Sequence, residues 1–290
     1  MKLTLRPSTL QEALAARAEY PDAVALAGGT DLMVEINFAR KRPEQILDLT
    51  QVSELDDWST DGDEIRIGAG VTHARLVAEF GDLLPGLAVA ARTVGSPQIR
   101  NRGTIGGNIA TASPAGDAIP PLLAAGAHVE VASLRGSRSV PIGVFFTGPK
   151  RSVLASDELV TGVRLPKPRG PQQFAKVGTR NAMVIAVCSF ALEIDYTNER
   201  VRTAIGSAAP TVIPASAAED FAQGVLHDDG RWESRAPLTP AELAEFGELV
   251  STAARPIDDV RGTAAYRRHA LGVLGKRTLS WAWKDGRDWD

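Results

Sequence analysis

The chain has 290 residues, of which 44% are hydrophobic and 23% are charged, a composition that excludes a disordered or collagen-like chain. With 32 basic and 35 acidic side chains the net charge is −3, so the basic excess that is usual in nucleic-acid-binding proteins is absent. The single cysteine, Cys188, excludes an internal disulfide, and it excludes a Cys₄ zinc site or an iron–sulfur cluster held by this chain alone. We therefore predict no metal site and no nucleic-acid partner.

The N-terminus has no apolar stretch long enough for a signal peptide, and no segment approaches the ~18 apolar residues of a membrane span. We expect a cytoplasmic protein without a membrane span.

The first 55 residues have the pattern of a small α/β unit. A helix is predicted over residues 9–19, with Ser8 and Gln11 as a capping box. Short buried strands are predicted at residues 23–27 and 44–49.

Residues 56–166 have a mixed α+β pattern. An apolar segment at residues 83–94 predicts a helix. Alternating apolar and polar residues predict strands at residues 64–68, 128–131 and 158–165.

Residues 166–171 contain three prolines and one glycine, which favours a domain boundary. Strands are predicted beyond it, at residues 173–177, 184–194 and 201–207. Helices follow, because Thr239, Pro240 and Glu242 form a strong helix start and residues 264–283 have the pattern of a terminal helix. We therefore predict a domain over 1–166, divided into subdomains 1–55 and 56–166, and a second α+β domain over 171–290 in which strands precede helices.

Two glycine-rich segments lie far apart in the sequence, at residues 26–31 and 104–108. Glycine allows the backbone to approach a phosphate closely, and consecutive N–H groups can form an anion-binding concavity. No Asp or Glu occurs from Leu83 to Gly116, whereas Arg92, Arg100 and Arg102 do. Neither segment matches the G-x-G-x-x-G or P-loop pattern, and either alone could be an ordinary turn. Together they predict a protein that holds the two phosphates of a dinucleotide from both sides.

These motifs carry a family resemblance. Residues 27–32, 104–108 and 113–117 resemble the FAD-binding medium subunit of the molybdenum hydroxylases, which include xanthine dehydrogenase and aerobic carbon monoxide dehydrogenase. Residues 158–166, 174–180 and 258–268 resemble later parts of the same family, so the likeness covers nearly the whole chain. It implies a vanillyl-alcohol-oxidase (PCMH)-type FAD-binding domain of two subdomains and a smaller C-terminal α+β domain.

The resemblance also implies a set of residues that bind FAD non-covalently, and it requires no catalytic residue in this chain. The pyrophosphate and ribityl contacts would come from Leu26, Ala27, Gly28, Gly29, Thr30, Asp31, Thr104, Ile105, Gly106, Gly107 and Asn108. Thr111 and Asp117, with Ser113 in the same motif, would bind the adenosine or ribityl part. Val160 would lie near the adenine and Lys176 near the flavin ring, where Met183 and Ile185 also fall.

In such enzymes a large molybdenum-cofactor subunit oxidises the substrate, and a small subunit with two [2Fe–2S] clusters relays the electrons. The flavin subunit then passes them to NAD, a quinone, oxygen or another acceptor. Two other interpretations are open: a stand-alone flavin-dependent reductase of the same fold, for which Ser251 and Glu248 are the available proton donors, and a non-redox nucleotide-binding module.

Several single residues have a simpler alternative role. Lys176 could be a surface lysine, and Asp117 could cap a helix that begins near Ala118. Arginines 255, 261, 267 and 268 favour a solvated or interface surface over a catalytic set. Tryptophans 281, 283 and 289 could contact a partner subunit or pack on their own domain.

Overall fold

The computed structural model describes residues 3–286. The first part of the fold, residues 3–48, is a small parallel sheet with two helices. The strands pair in the order β1–β3–β2. The elements are β1 (Leu3–Leu5), α1 (Leu10–Glu19), β2 (Val24–Leu26), α2 (Leu32–Asn37) and β3 (Gln45–Asp48). The predicted helix and strands are confirmed, but the cap is displaced by one residue. Thr9, in an extended conformation, accepts from the amide of Glu12, while the Glu12 carboxylate accepts from the amide and hydroxyl of Ser8.

The second part is an antiparallel five-stranded sheet in the order β4–β5–β10–β6–β7. Its first strands and helices are a 3₁₀ turn (Ser53–Leu55), β4 (Trp58–Asp61), β5 (Glu64–Gly68), α3 (His73–Glu79), α4 (Pro85–Thr93), α5 (Pro97–Arg102), α6 (Ile105–Ala110) and α7 (Ile119–Ala124). The remainder are β6 (His128–Ser133), β7 (Gly136–Pro141), α8 (Ile142–Phe145), β8 (Phe146–Gly148), β9 (Arg151–Ser152) and β10 (Leu159–Pro166). Helix α1 packs against β6 as well as β3, so the first two sheets share one apolar core.

The third part is an antiparallel sheet in the order β11–β12–β13, followed by helices, as predicted. Its elements are β11 (Gln172–Val177), β12 (Cys188–Asp195), β13 (Arg200–Gly206), α9 (Ser216–Asp228), α10 (Arg231–Ser234), α11 (Pro240–Ala253) and α12 (Ala264–Asp285). The capping box of Thr239 and Glu242 is confirmed. The strand expected over residues 184–194 begins only at Cys188, because the strand it pairs with, β11, ends at Val177, the register partner of Cys188.

Strand β12 is buried on both faces, which explains its continuous apolar sequence. Phe190 and Leu192 belong to a core formed with α9, α11 and α12. Ala191, on the opposite face, belongs to the core of the first two sheets, where α4 and α7 cover the third sheet. The third sheet thus lies between the two cores.

The C-terminal tryptophans and arginines divide between core and surface. Trp283 is buried and donates to the carbonyl of Ala236 at 2.8 Å, whereas Trp281 is half-exposed; Trp289 lies outside the described residues. Arg267 is buried, donates to the carbonyl of Ser207 at 2.7 Å and pairs with Asp259, so its assignment to a solvated surface is wrong.

Cys188 is an apolar core thiol whose pKa burial raises to about 12. Within residues 3–286, no helix combines the length and apolar character needed to cross a bilayer.

Candidate functional site

The first glycine-rich segment touches the residues that lead into the second, Arg102 and Gly103. A Cβ atom at Gly28 would overlap the carbonyl oxygen of Arg102 and lie 2.8 Å from the Cα atom of Gly103. A Cβ atom at Gly103 would lie 3.3 Å from the hydroxyl of Thr30. The absence of side chains therefore allows the loop after β2 to lie directly against the loop that leads into α6.

The first segment offers free backbone donors. Within the part of the chain that the structure describes, no N–H group of residues 27–31 donates to a protein acceptor. Gly29 has a φ of +74°, and α2 begins immediately beyond Asp31. A turn of unpaired amides that leads into a helix suits an anionic group.

The second segment does not offer its amides in this way, contrary to the expectation from sequence. The N–H groups of Ile105 and Gly106 donate to the carbonyls of Val71 and Ala69, at 2.9 and 2.8 Å. Those of Gly107 and Asn108 donate to the side chain and carbonyl of Thr104, the N-cap residue of α6. This segment instead contributes bare backbone at Gly107, where an added Cβ would meet only the Thr104 hydroxyl, at 3.0 Å.

Beside this backbone lie two buried side-chain acceptors that lack a partner among the described residues, Asn108 Oδ1 and Asp117 Oδ1. They lie near each other in the fold, because a Cβ atom at Gly116 would be 3.0 Å from Asn108 Oδ1. A buried acceptor without a donor costs free energy, so both atoms are suited to a ligand that carries hydroxyl or N–H groups.

Thr111 and Ser113 shape the turn between these acceptors. Thr111 is the C-cap of α6, and Ser113 accepts from the amide of Ala115 through its hydroxyl at 3.2 Å. Ala112 between them has a left-handed backbone (φ 49°). Val160 is buried in β10. The carbonyl of its neighbour Thr161 accepts from the amide of Ala69.

Lys176 and Asp117 form a buried ion pair across the boundary between the second and third sheets. Lys176 Nζ lies 2.6 Å from Asp117 Oδ2 and 3.2 Å from the carbonyl oxygen of Thr93, and both side chains are less than a tenth exposed. Burial raises the pKa of the Asp117 carboxyl, while the charge of Lys176 opposes that rise. The surface-lysine alternative is therefore wrong, and so is the helix cap, because α7 has no side-chain cap.

Lys176 also lines a cleft of about 460 Å³ between α4, α5 and the loop before β12. The lining residues are Arg92, Thr93, Gly95, Ser96, Pro97, Arg100, Lys176, Gly178, Arg180, Asn181, Ala182, Met183 and Val184. None of these residues is acidic. Arg92 and Arg100, which come from the stretch of sequence without Asp or Glu, therefore line a cleft whose charged side chains are all basic. Sequence reasoning missed residues 93–97, although Ser96 and Pro97 are a recognisable helix start.

His73 is buried beneath the two glycine segments. Its amide donates to the carbonyl of Gly103 at 2.9 Å, and its Nδ1 atom has no partner among the described residues. Burial, and secondarily the charge of Arg100, lower the pKa of its imidazole to about 4. The ring is therefore neutral at pH 7.

The site is a continuous path from unpaired amides, past two orphaned acceptors and a buried ion pair, to a cationic cleft. An FAD molecule has the matching parts: a diphosphate for the amides, a ribityl chain with hydroxyl donors for the acceptors, and a flat ring for the cleft. The residues present thus fit this cofactor.

Known proteins match nearly the whole chain. Residues 1–168 match the FAD binding domain in molybdopterin dehydrogenase, and residues 173–282 match the CO dehydrogenase flavoprotein C-terminal domain. A putative xanthine dehydrogenase FAD-binding subunit of Escherichia coli K12 is 32% identical over 95% of this chain and 94% of its own length. The nicotine 6-hydroxylase medium subunit of Paenarthrobacter nicotinovorans is 31% identical over 94% of each chain.

Solved structures agree with these matches. A chain of the carbon monoxide dehydrogenase of Hydrogenophaga pseudoflava superposes with a TM-score of 0.89, at 28% identity and over 98% of both chains. A chain of quinoline 2-oxidoreductase from Pseudomonas putida 86 gives 0.88, at 26% identity and over 98% of this chain and 97% of that one. These likenesses confirm the predicted order of an FAD-binding domain and a smaller C-terminal domain.

Proposed function

Because this chain belongs to the family of FAD-binding subunits of the molybdopterin dehydrogenases, an oxidoreductase family, we propose that it is the flavoprotein subunit of a multi-subunit molybdenum hydroxylase. It binds FAD non-covalently through the path described above. The molybdenum cofactor and the [2Fe–2S] clusters belong to a large and a small partner subunit.

One observation supports this proposal above the others. The first glycine segment lies in contact with Arg102 and Gly103, which lead directly into the second segment, although 78 residues separate Gly28 from Gly106. Orphaned acceptors adjoin the second segment. The free amides of residues 27–31 bind the diphosphate, and Gly107 allows the ligand to approach the backbone closely. Asn108 and Asp117 accept from the ribityl hydroxyls, which satisfies their buried oxygens.

When bound, FAD supplies the ability to accept single electrons and to release them singly or in pairs. The chain itself orients the ring and sets its electrostatic surroundings. The cleft has a positive electrostatic potential from four basic side chains, Arg92, Arg100, Lys176 and Arg180. This potential stabilises a bound group that carries negative charge. Lys176 is held in place by hydrogen bonds to Asp117 and to the carbonyl of Thr93. Its ammonium group therefore does not have to move when a ligand binds.

The finer part of the proposal concerns electron flow. Electrons arrive from the [2Fe–2S] clusters of the small subunit and leave to NAD, a quinone or oxygen. Substrate selection belongs to the large subunit, since no general acid or nucleophile of this chain is required.

Reconstitution tests the proposal. The purified chain, incubated with FAD and desalted, should retain flavin absorbance in the visible range. Asn108→Ala should weaken binding by about tenfold, the loss of one hydrogen bond in a buried site, and Gly107→Trp should abolish it by filling the open backbone surface. Gly224→Ala is the control, because Gly224 lies inside α9 with an ordinary helical backbone and an added Cβ there meets nothing within 4 Å. Failure of the wild-type chain to retain flavin would refute the proposal.

Two alternatives are distinguished by other observations. The stand-alone reductase lacks support: Ser251 lies on α11 near Gly272 of α12, and neither Ser251 nor Glu248 lines the cleft. A non-redox nucleotide-binding module would bind FAD but would not be reduced productively by the purified partner subunits with their substrate.

A further inference from the structure

The β8–β9 hairpin has a two-residue tip that reaches the predicted ligand residues. At the tip, Lys150 has a left-handed backbone (φ 55°), and its amide donates to the carbonyl of Ala112 at 2.9 Å. Ala112 is also left-handed and lies between Thr111 and Ser113. The hairpin tip is thus fixed to the turn that follows the second glycine segment.

The side chain of the same residue reaches the other segment. Lys150 Nζ lies 2.7 Å from Glu35 Oε1 on α2, the helix that begins directly after the first glycine segment. The amide of Glu35 donates to the carbonyl of Asp31, and that of Met33 donates to the carbonyl of Gly29. The position of Glu35 is therefore coupled to the backbone of the first segment.

Several charged groups surround this ion pair. The ion pair lowers the pKa of the Glu35 carboxyl and raises the pKa of the Lys150 ammonium. Asp31 adds a second carboxylate that attracts Lys150, whereas Arg40 repels Lys150 and, together with Lys41, attracts Glu35. Lys150, on the β8–β9 hairpin, thus places a positive charge close to both Asp31 and Glu35.

We propose that Lys150 is a positioning residue that holds the two glycine segments together around the bound cofactor and slows its release. Its amide fixes the turn after one segment, and its ammonium fixes the helix after the other. This inference rests on the proposed binding of FAD. The pair is exposed, with 60% of the Lys150 and 26% of the Glu35 side chain accessible, so its strength depends on ionic strength.

The test measures the rate of FAD release from the full-length chain, followed as the rise in flavin fluorescence after dilution. Lys150→Met and Glu35→Gln should each release FAD about two- to fivefold faster at low salt, and the difference should largely disappear in 1 M salt. Lys150→Arg should keep the wild-type rate. The double variant Glu35→Gln/Lys150→Met should release FAD no faster than either single variant, whereas two independent defects would add.

Arg135→Met provides a matched control, because the Arg135–Asp157 pair has a similar distance (2.8 Å) and similar exposure (68% and 28%). It should leave FAD release unchanged. Equal rates for wild type and Lys150→Met would overturn the proposal, as would an equal effect of Arg135→Met or a salt-independent difference. A wild-type chain that retains no flavin would instead contradict the proposed function itself, and flavin content is measured first for this reason.

Discussion

At Gly28 a single added carbon atom would prevent the first glycine segment from lying against the backbone that leads into the second. A Cβ there would overlap backbone atoms of Arg102 and Gly103, which cannot move aside by a change of rotamer. We expect Gly28→Ala to cost about 1–3 kcal/mol, as overpacking does, and to lower FAD affinity by about tenfold or more. Titration of the purified variant with FAD, with thermal unfolding in parallel, measures both effects.

Gly224→Ala is the control for this substitution. Gly224 lies inside α9, where an added Cβ meets nothing within 4 Å. Replacing a helical glycine by alanine should stabilise the chain by about 0.5–1 kcal/mol without changing FAD affinity. If Gly28→Ala bound FAD as tightly as Gly224→Ala, the contact between the segments would have no part in binding.

At the scale of elements, sequence patterns predicted what is local. The alternation at residues 64–68, the capping box at Thr239 and the glycine segments each depend on residues within a few positions of one another. The patterns could not show that Ala69 and Val71 occupy the amides of the second segment, because those carbonyls come from a separate loop. Nor could they pair Lys176 with Asp117, since 59 residues separate the two and only the packing of β11 against α4 and α7 joins them.

Strand β12 carries a titratable group at the junction of the two cores. Glu193 is buried, accepts from Gln172 Nε2 at 2.6 Å, and Gln172 in turn accepts from the amide of Gly86 on α4 at 3.3 Å. Burial raises the pKa of the Glu193 carboxyl from 4.5 to about 7, although Gln172 and Arg202 oppose the rise. The folded state therefore binds this proton more tightly than the unfolded state does.

This difference predicts how stability depends on pH. The free energy of unfolding should fall as the pH rises from about 4.5 to about 7, with a contribution from Glu193 of at most about 1.4 kcal/mol per pH unit. Glu193→Gln keeps an acceptor for Gln172 and cannot ionise, so its unfolding free energy should decline less over this interval. Urea unfolding of both proteins between pH 5 and pH 8 measures the slopes, and parallel slopes would contradict the assignment.

For the whole molecule, the arrangement of cores determines how the parts cooperate. The third sheet is covered on one face by α4 and α7 and on the other by α9 and α12, so neither half can unfold without exposing an apolar sheet face. The proposed ligand path crosses the same junction, because its amides follow β2, its two acceptors lie within α6 and after it, and its lysine lies on β11. The proposed ligand path and the apolar cores therefore connect the same three sheets.

It follows that FAD should stabilise the chain as one unit. A ligand that binds only the folded state at about 100 times its dissociation constant adds about 2.7 kcal/mol, which corresponds to a rise in Tm of about 5 °C for a chain of this size. We expect a single calorimetric transition that moves upward as a whole when FAD is added. In Lys176→Met the shift should be smaller, because the residue that joins the third sheet to the path is missing. Two transitions, of which only one responds to FAD, would show instead that the C-terminal half takes no part in holding the cofactor.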